Sequence, residues 1–428
     1  LTPQMILVFA VTAVVFFGFI RERQPPDIIA LLGVALLLLT GALSTPQLLS
    51  VFSSGAPITI AAMFVLSKAL ENTGIIASLG ALAGRLAGAS WLRAMLLLML
   101  PVTFVSAFAN NTPVVVVLTP VIITLAHRQG IAASRYLIPL SYASILGGTC
   151  TLVGTSTNLL VDGIAQREGL APFGIFDITL VGVLLAVCGL AYLLLFGWWL
   201  LPDRAPDARS VSAALPAPGD PGDPAHTPRR RKAPLAVAVI LAVVTLAALH
   251  VLPIVSLAVI GAIVVVAAGC LTAGEAYRAV HWPIIMLIFA MLAIGLALEQ
   301  TGAMRLLVNV LDGLTAGLGP VGLLLVIYVV TSIATEFMSN NAAAILFTPV
   351  AIGAALAAGL DPKPFVVAVM MAGSASFATP IGYQTNTIVY RAGGYRFSDF
   401  LRIGLPMNLL AMAVTVLAIP RVWPLQAG

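Results

Sequence analysis

Asn110-Asn111-Thr112-Pro113 interrupts an apolar stretch, and 229 positions beyond Asn111 the motif Ser339-Asn340-Asn341 interrupts a second one. Amides and hydroxyls with almost no charge around them make a poor surface loop, and in lipid they are costly unless protein or water satisfies them. Two readings follow. If segments 92–109 and 113–127 both cross a membrane, the tip is an ordinary loop. If they form a re-entrant hairpin, the tip is held near mid-membrane against protein and water. Recurrence of the tip in a second apolar setting favours the hairpin.

The flanking sequence leaves no room for a soluble fold. Of 428 residues, 60% are hydrophobic and 9% charged, against about a quarter charged in soluble domains. Apolar runs such as 5–20, 28–43, 234–249 and 283–298 approach the ~20 residues a helix needs to cross hydrocarbon. They are continuous and do not alternate, so helices and not barrel strands must satisfy the backbone. The first run has neither a basic leader nor a small-residue cleavage pattern and reads as a span. Cys150, Cys188 and Cys270 lie far apart in apolar stretches, with no metal spacing. No nucleophile–base pair or metal-ligand cluster points to an enzyme. The net charge of +5 comes without an aromatic–basic groove pattern, so nucleic acid is not an expected partner; membrane lipid is.

Aligning the chain with itself uncovers a repeat. Gly41-Ala-Leu-Ser pairs with Gly269-Cys-Leu-Thr, Glu71-Asn-Thr-Gly74 with Glu299-Gln-Thr-Gly302, and Asn111 with Asn340. Thr119-Pro120 pairs with Thr348-Pro349, and Gly154-Thr-Ser-Thr-Asn158 with Gly382-Tyr-Gln-Thr-Asn386, all at offsets of 228 or 229. The reading is a first membrane repeat at 1–202, a disordered linker at 203–233 ending Arg229-Arg-Arg-Lys232, and a second repeat at 234–428. In the first half, spans at 5–20, 27–43 and 57–70 precede a short amphipathic stretch (76–89), the hairpin, a broken span (136–168) and a final span (176–201). Five crossings per half is an odd number, which inverts the second half. The fold class is therefore an all-α polytopic membrane protein of two inverted repeats, each with five spans, one of them broken, and one re-entrant helical hairpin. With the linker in the cytoplasm and both termini periplasmic, sixteen of the 21 Lys and Arg fall inside. Arg167, Arg305, Lys363 and Arg421 fall outside and Lys68 sits near a span end, as the positive-inside rule asks of a bacterial inner (plasma) membrane protein.

Broken helices and hairpins of this kind bring backbone groups and helix ends to the membrane centre, where secondary transporters bind ions and solute. Gly147 to Asn158 interrupts one span and Gly373 to Asn386 its mate. Glycine and proline free carbonyls that can hold a hard cation such as Na⁺. Amide and hydroxyl groups at the tips can donate to an anion beside helix N-termini.

These tips and breaks resemble the divalent anion/sodium symporter family of the ion transporter superfamily, over nearly the whole chain except the linker. That family pairs Ser-Asn-Thr tips with Gly-Thr-Pro-Pro-Asn-like unwound segments; here Asn110 stands in place of a serine, Asn341 in place of a threonine, and the five-residue breaks lack the prolines. The resemblance implies a homodimer working as an elevator, with Na⁺ as coupling ion and a small anionic substrate. It implies that Asn111 and Asn340 touch both ions, that Ser106 and Thr335 add cation-site hydroxyls, and that carbonyls at Gly154 and Gly382 complete the sodium shells. Asn110, Thr112, Thr157, Asn158, Ser339, Asn341, Thr385 and Asn386 would then line the substrate.

Glu336 lies four residues before Asn340 in an apolar hairpin arm, and its repeat mate, Ala107, is neutral. It is a candidate for proton or cation coupling, or a carboxyl bonded to a helix end. Three modes of action stay open: sodium-coupled import of a divalent anion such as a dicarboxylate or sulfate, a proton-coupled exchanger or efflux pump for an oxyanion or cation, and an ion channel.

Overall fold

The computed structural model describes residues 2–21, 23–78, 90–204, 229–249, 251–302 and 319–426, with positions 82 and 317. The expected amphipathic stretch at 76–89 and most of the linker, 205–228, lie largely or wholly outside the described residues. The chain is helical throughout the described elements. The first series comprises α1 (Pro3–Arg21), α2 (Pro26–Leu39), α3 (Thr45–Val51), α4 (Gly55–Asn72) and α5 (Trp91–Ser106). It continues with α6 (Asn111–Gln129), α7 (Ser134–Gly148), α8 (Ser156–Arg167) and α9 (Thr179–Leu200). The second series runs α10 (Ala233–Ala248), α11 (Ile254–Ala267), α12 (Ala273–Ala279), α13 (Trp282–Gln300) and α14 (Pro320–Phe337). It ends with α15 (Asn340–Ala357), α16 (Pro362–Ser374), α17 (Gln384–Gly393) and α18 (Phe397–Val422).

Local chemistry sets these boundaries twice over. Proline occupies the first turn of α2, α10, α13, α14 and α16, where a missing N–H costs nothing. Left-handed glycines end matched helices: Gly41 and Gly269 have φ of 72° and 74°, and Gly130 and Gly359 have 66° and 65°. The short helices α3 and α12 are elements that hydropathy alone does not separate from the spans around them. Each opens with a capping box, Ser44 N donating to Gln47 Oε1 at 2.6 Å and Thr272 N to Glu275 Oε2 at 2.6 Å. α3 then meets α4 at a bend of 40°.

Among the described residues, seven helices are long and apolar enough to cross a membrane, or eight if the bent α3–α4 pair counts as one span. The protein is a multi-pass membrane protein, and its exposed leucines, valines and phenylalanines are the surface such a protein turns to lipid. Most helix packing falls within two groups, joined chiefly where α4 lies on α8. α2 lies on α13 and α4 on α11, whereas α5 lies on α7, α9 on α18, α8 on α15 and α16, and α17 on α6 and α7.

The described ends of the linker are tied down and do not hang free. Arg204 pairs with Asp399 at 3.1 Å, and Arg135 with Asp203 at 3.3 Å. Arg229 pairs with Glu275 at 3.0 Å and donates its backbone N–H to Asn72 O at 3.0 Å.

Candidate functional site

The first tip is built around Asn111, which is 1% exposed. α5 stops at Ser106 and α6 starts at Asn111, so the intervening residues turn the chain inside the protein. Ser106 Oγ donates to Asn111 Oδ1 and lies 3.0 Å from Ser144 Oγ, which in turn donates to Asn111 O at 3.2 Å. A Cβ on Gly148 would come within 2.7 Å of the Asn111 amide, so only glycine lets α7 approach this closely. Asn110 turns the other way: its N–H donates to Ser67 Oγ of α4 at 3.2 Å, beside a small cavity also lined by Gly154 and Ser156.

The two breaks are held by the same device. Asn158 Nδ2 donates to Gly148 O (3.3 Å) and Thr151 O (3.0 Å); Asn386 Nδ2 donates to Ser376 O (2.8 Å) and Thr379 O (3.1 Å). Each asparagine thus satisfies carbonyls that unwinding has freed. Thr151 and Thr379 then anchor the breaks to the hairpin arms through Ala107 O and Glu336 O. Extended residues Thr155 (φ −139°, ψ 145°) and Tyr383 (φ −129°, ψ 135°) start α8 and α17. These two N-caps are repeat mates, and their hydroxyls lie 3.3 Å apart.

Around that contact the halves exchange tips. Asn111 Nδ2 donates to Tyr383 Oη at 2.6 Å and Thr112 Oγ1 to Gln384 Oε1 at 3.2 Å. Thr157 Oγ1 donates to Asn341 Oδ1 at 3.1 Å, and Asn340 also faces the Tyr383 hydroxyl. The N-termini of α6, α8, α15 and α17 therefore converge, each bringing partly positive backbone N–H groups. Ser339 caps α15 by accepting from Ala342 N at 3.4 Å.

The structure brings Asn111, Thr112, Thr157, Asn340 and Asn341 together. It sets Asn158, Thr385 and Asn386 behind them: the Asn386 amide is spent on carbonyls, and Ser141 Oγ donates to Asn386 Oδ1 (2.7 Å) and lies 2.8 Å from the Thr385 hydroxyl. Thr335 does not copy Ser106; its hydroxyl donates to Gly373 O at 3.0 Å. Gly382 sits so close to Thr335 O that a Cβ would lie 2.4 Å from it. Glu336 Oε1 accepts from Ala378 N at 3.0 Å and Asn408 Nδ2 at 2.6 Å, so the carboxylate is bonded into the second break. Sequence reasoning did not single out Tyr383, Gln384, Ser144, Ser141 or Asn408. Tyr383 and Gln384 lie inside the quoted break, and the spacing of Ser141 and Ser144 on an apolar helix was a signal for a polar stripe.

Convergent broken helices and hairpin tips on an all-helical, multi-pass scaffold define a secondary transporter. A family profile described as citrate transporter (CitMHS) matches residues 16–372, and the chain belongs to that family. It is 27% identical to the uncharacterized transporter sll0640 of Synechocystis, over 99% of this chain and 98% of that one. It is 46% identical to sodium/sulfate cotransporter 2 of Chlamydomonas reinhardtii over 114 residues, 25% of this chain and 13% of that protein. In fold it is similar to the YdaH transporter of Alcanivorax borkumensis, with a TM-score of 0.60 at 15% identity and 89% of each chain covered. The resemblance read from the tip and break motifs holds at the level of family.

Proposed function

We propose that the protein imports a small divalent anion, a dicarboxylate or sulfate, by Na⁺ symport across a bacterial inner membrane. The observation that carries this reading is the meeting of four helix N-termini at Tyr383 and Thr155 where, among the described residues, the side-chain donors are neutral. Neutral donors hold a divalent anion weakly, so a bound cation must supply the compensating charge, and binding of the two becomes mutually dependent. Ser106, Asn111 and Gly154 offer oxygens for one sodium; Thr335, Asn340 and Gly382 do so for the other. The family description of citrate and the relatives named sodium/sulfate cotransporters support both the anion class and the ion. The two halves are oriented oppositely, with both termini periplasmic and the tips re-entering from opposite sides. Helices α5–α9 with α14–α18 form a moving body that slides as an elevator against α1–α4 with α10–α13, in a homodimer. The concentration of helix packing within those two groups, with α4 on α8 as the main contact between them, supports that division.

A second reading, proton coupling, is favoured by one observation: Glu336 is a carboxyl in the hairpin arm where the first repeat has Ala107. A thermal-shift screen of sulfate, citrate and succinate, with Na⁺ and with choline in its place, separates the two. Stabilisation by one anion only when Na⁺ is present is the expected result; stabilisation independent of Na⁺ overturns sodium symport.

A further inference from the structure

Tyr383 breaks the symmetry of the solute site. Its repeat mate is Thr155, so strict duplication would place a short hydroxyl in each break and one tip asparagine opposite each. Two matching sets of donors of that kind suit a solute with two charged ends. The second break instead carries a phenol, and both tips turn to it. Asn111 of the first tip donates to Tyr383 Oη at 2.6 Å, the Asn340 side chain of the second tip faces the same hydroxyl, and Thr155 Oγ1 lies 3.3 Å from it. The mirror contact, Asn340 with Thr155, is absent among the described residues: Thr155 Oγ1 is shared between Tyr383 and the Thr157 N–H.

The ring cannot leave this place without moving the break. Tyr383 is 5% exposed. Gly382 before it is pressed against the hairpin arm at Thr335 O, and its N–H donates to Thr379 Oγ1 at 3.2 Å. Tyr383 O accepts from Thr387 N at 3.2 Å, which commits the residue to the start of α17. Beside the hydroxyl stand two amides fixed through their oxygens: Gln384 Oε1 accepts from Thr112, and Asn341 Oδ1 from Thr157. Holding the oxygens leaves the N–H groups of each amide as donors for a solute.

We propose that Tyr383 makes the site selective for a compact oxyanion with one charged centre, sulfate or a tetrahedral analogue, and excludes dicarboxylates. The inference rests on reading this cluster as the anion site, and it narrows the class of solute. A hydroxyl that accepts from an amide still has its own proton to donate, and accepting polarises it into a stronger donor. One oxygen of a tetrahedral anion takes that O–H, and others take the N–H groups of Gln384 and Asn341. A dicarboxylate carries two charged groups separated by carbon atoms, and its second carboxylate needs the place opposite the first, which the phenol fills. A carboxylate buried without donors is strongly disfavoured, so the penalty falls on the longer solute.

The test is isothermal titration calorimetry of the purified full chain with sulfate, succinate and citrate. It is run in Na⁺ and again in choline, so that failure of sodium coupling leaves the comparison of anions intact. The wild type should bind sulfate about tenfold more tightly than succinate, or better. Tyr383→Thr, which restores the residue of the first break, should close or reverse that ratio. Tyr383→Phe keeps the ring and loses the hydroxyl; it should weaken sulfate binding about tenfold without admitting succinate. Melting temperatures without ligand show which variants fold, and if Tyr383→Thr does not, the wild-type ratio and the Tyr383→Phe result decide. Succinate or citrate bound by the wild type as tightly as sulfate overturns the inference and leaves anion symport standing. An unchanged ratio in folded Tyr383→Thr also overturns it, and binding of no divalent anion overturns both readings.

Discussion

Asn111 of the first hairpin tip donates its amide to the Tyr383 hydroxyl of the second break at 2.6 Å, across 272 positions of sequence. The bond joins two segments that belong to different repeats, so each half of the site is completed by the other. Asn111→Ala removes this donor and also the acceptor for Ser106. Anion uptake into proteoliposomes should fall by about a hundredfold or more, equivalent to roughly 2.7 kcal/mol, with the size-exclusion profile unchanged. Asn340→Ala should do the same. Wild-type uptake in either variant contradicts the site.

Asn158 and Asn386 serve structure first. Asn386→Ala removes the donor to two buried carbonyls, Ser376 O and Thr379 O, whereas Asn158→Ala strips Gly148 O while Thr151 O keeps its bond from Gly154 N at 3.3 Å, at a cost of about 1–3 kcal/mol per unpaired group. Asn386→Ala should lower the melting temperature more than Asn158→Ala, because Asn386 Oδ1 also accepts from Ser141 whereas Asn158 Oδ1 has no partner. Equal melting temperatures for the two variants, read without ligand, would refute the difference.

Gly382→Ala should inactivate and destabilise together. Its Cβ would meet the Thr335 carbonyl at 2.4 Å, an overlap that only movement of the hairpin arm relieves, with a penalty of about 1–3 kcal/mol. Gly295→Ala, where nothing lies within 4 Å, is the control and should behave as wild type.

At the linker end, burial pushes the Glu275 carboxyl up, but hydrogen bonds from Thr272 and Arg229 and the Arg229 charge outweigh it and hold it below the usual 4.5. A depressed carboxylate stabilises the fold above its unfolded pKa, and that contribution is lost as pH falls through the folded value. Arg229→Ala should therefore lower the melting temperature at neutral pH, with the gap to wild type closing as pH drops below 4.5. A gap that does not change with pH would show that the pair does not act through this carboxylate.

The tips, the breaks and the family were legible because a polar residue inside an apolar run is conspicuous in one dimension, and a constant offset repeats it. Gly154, Asn158, Gly382 and Asn386 were visible for the same reason. Their division of labour was not: whether an asparagine faces a solute or clamps its own carbonyls depends on which backbone groups unwinding leaves nearby. Tyr383 looked like one more letter in a break.

Taken by itself, the chain determined a helical membrane protein with two matched halves, since hydropathy and the glycine landmarks act over distances of a few residues. Tertiary structure alone decided that Asn111 meets Tyr383, that Asn341 meets Thr157, and that Glu336 is bonded by Asn408. Those contacts depend on how helices far apart in sequence lie side by side, and close packing, not local propensity, sets that arrangement.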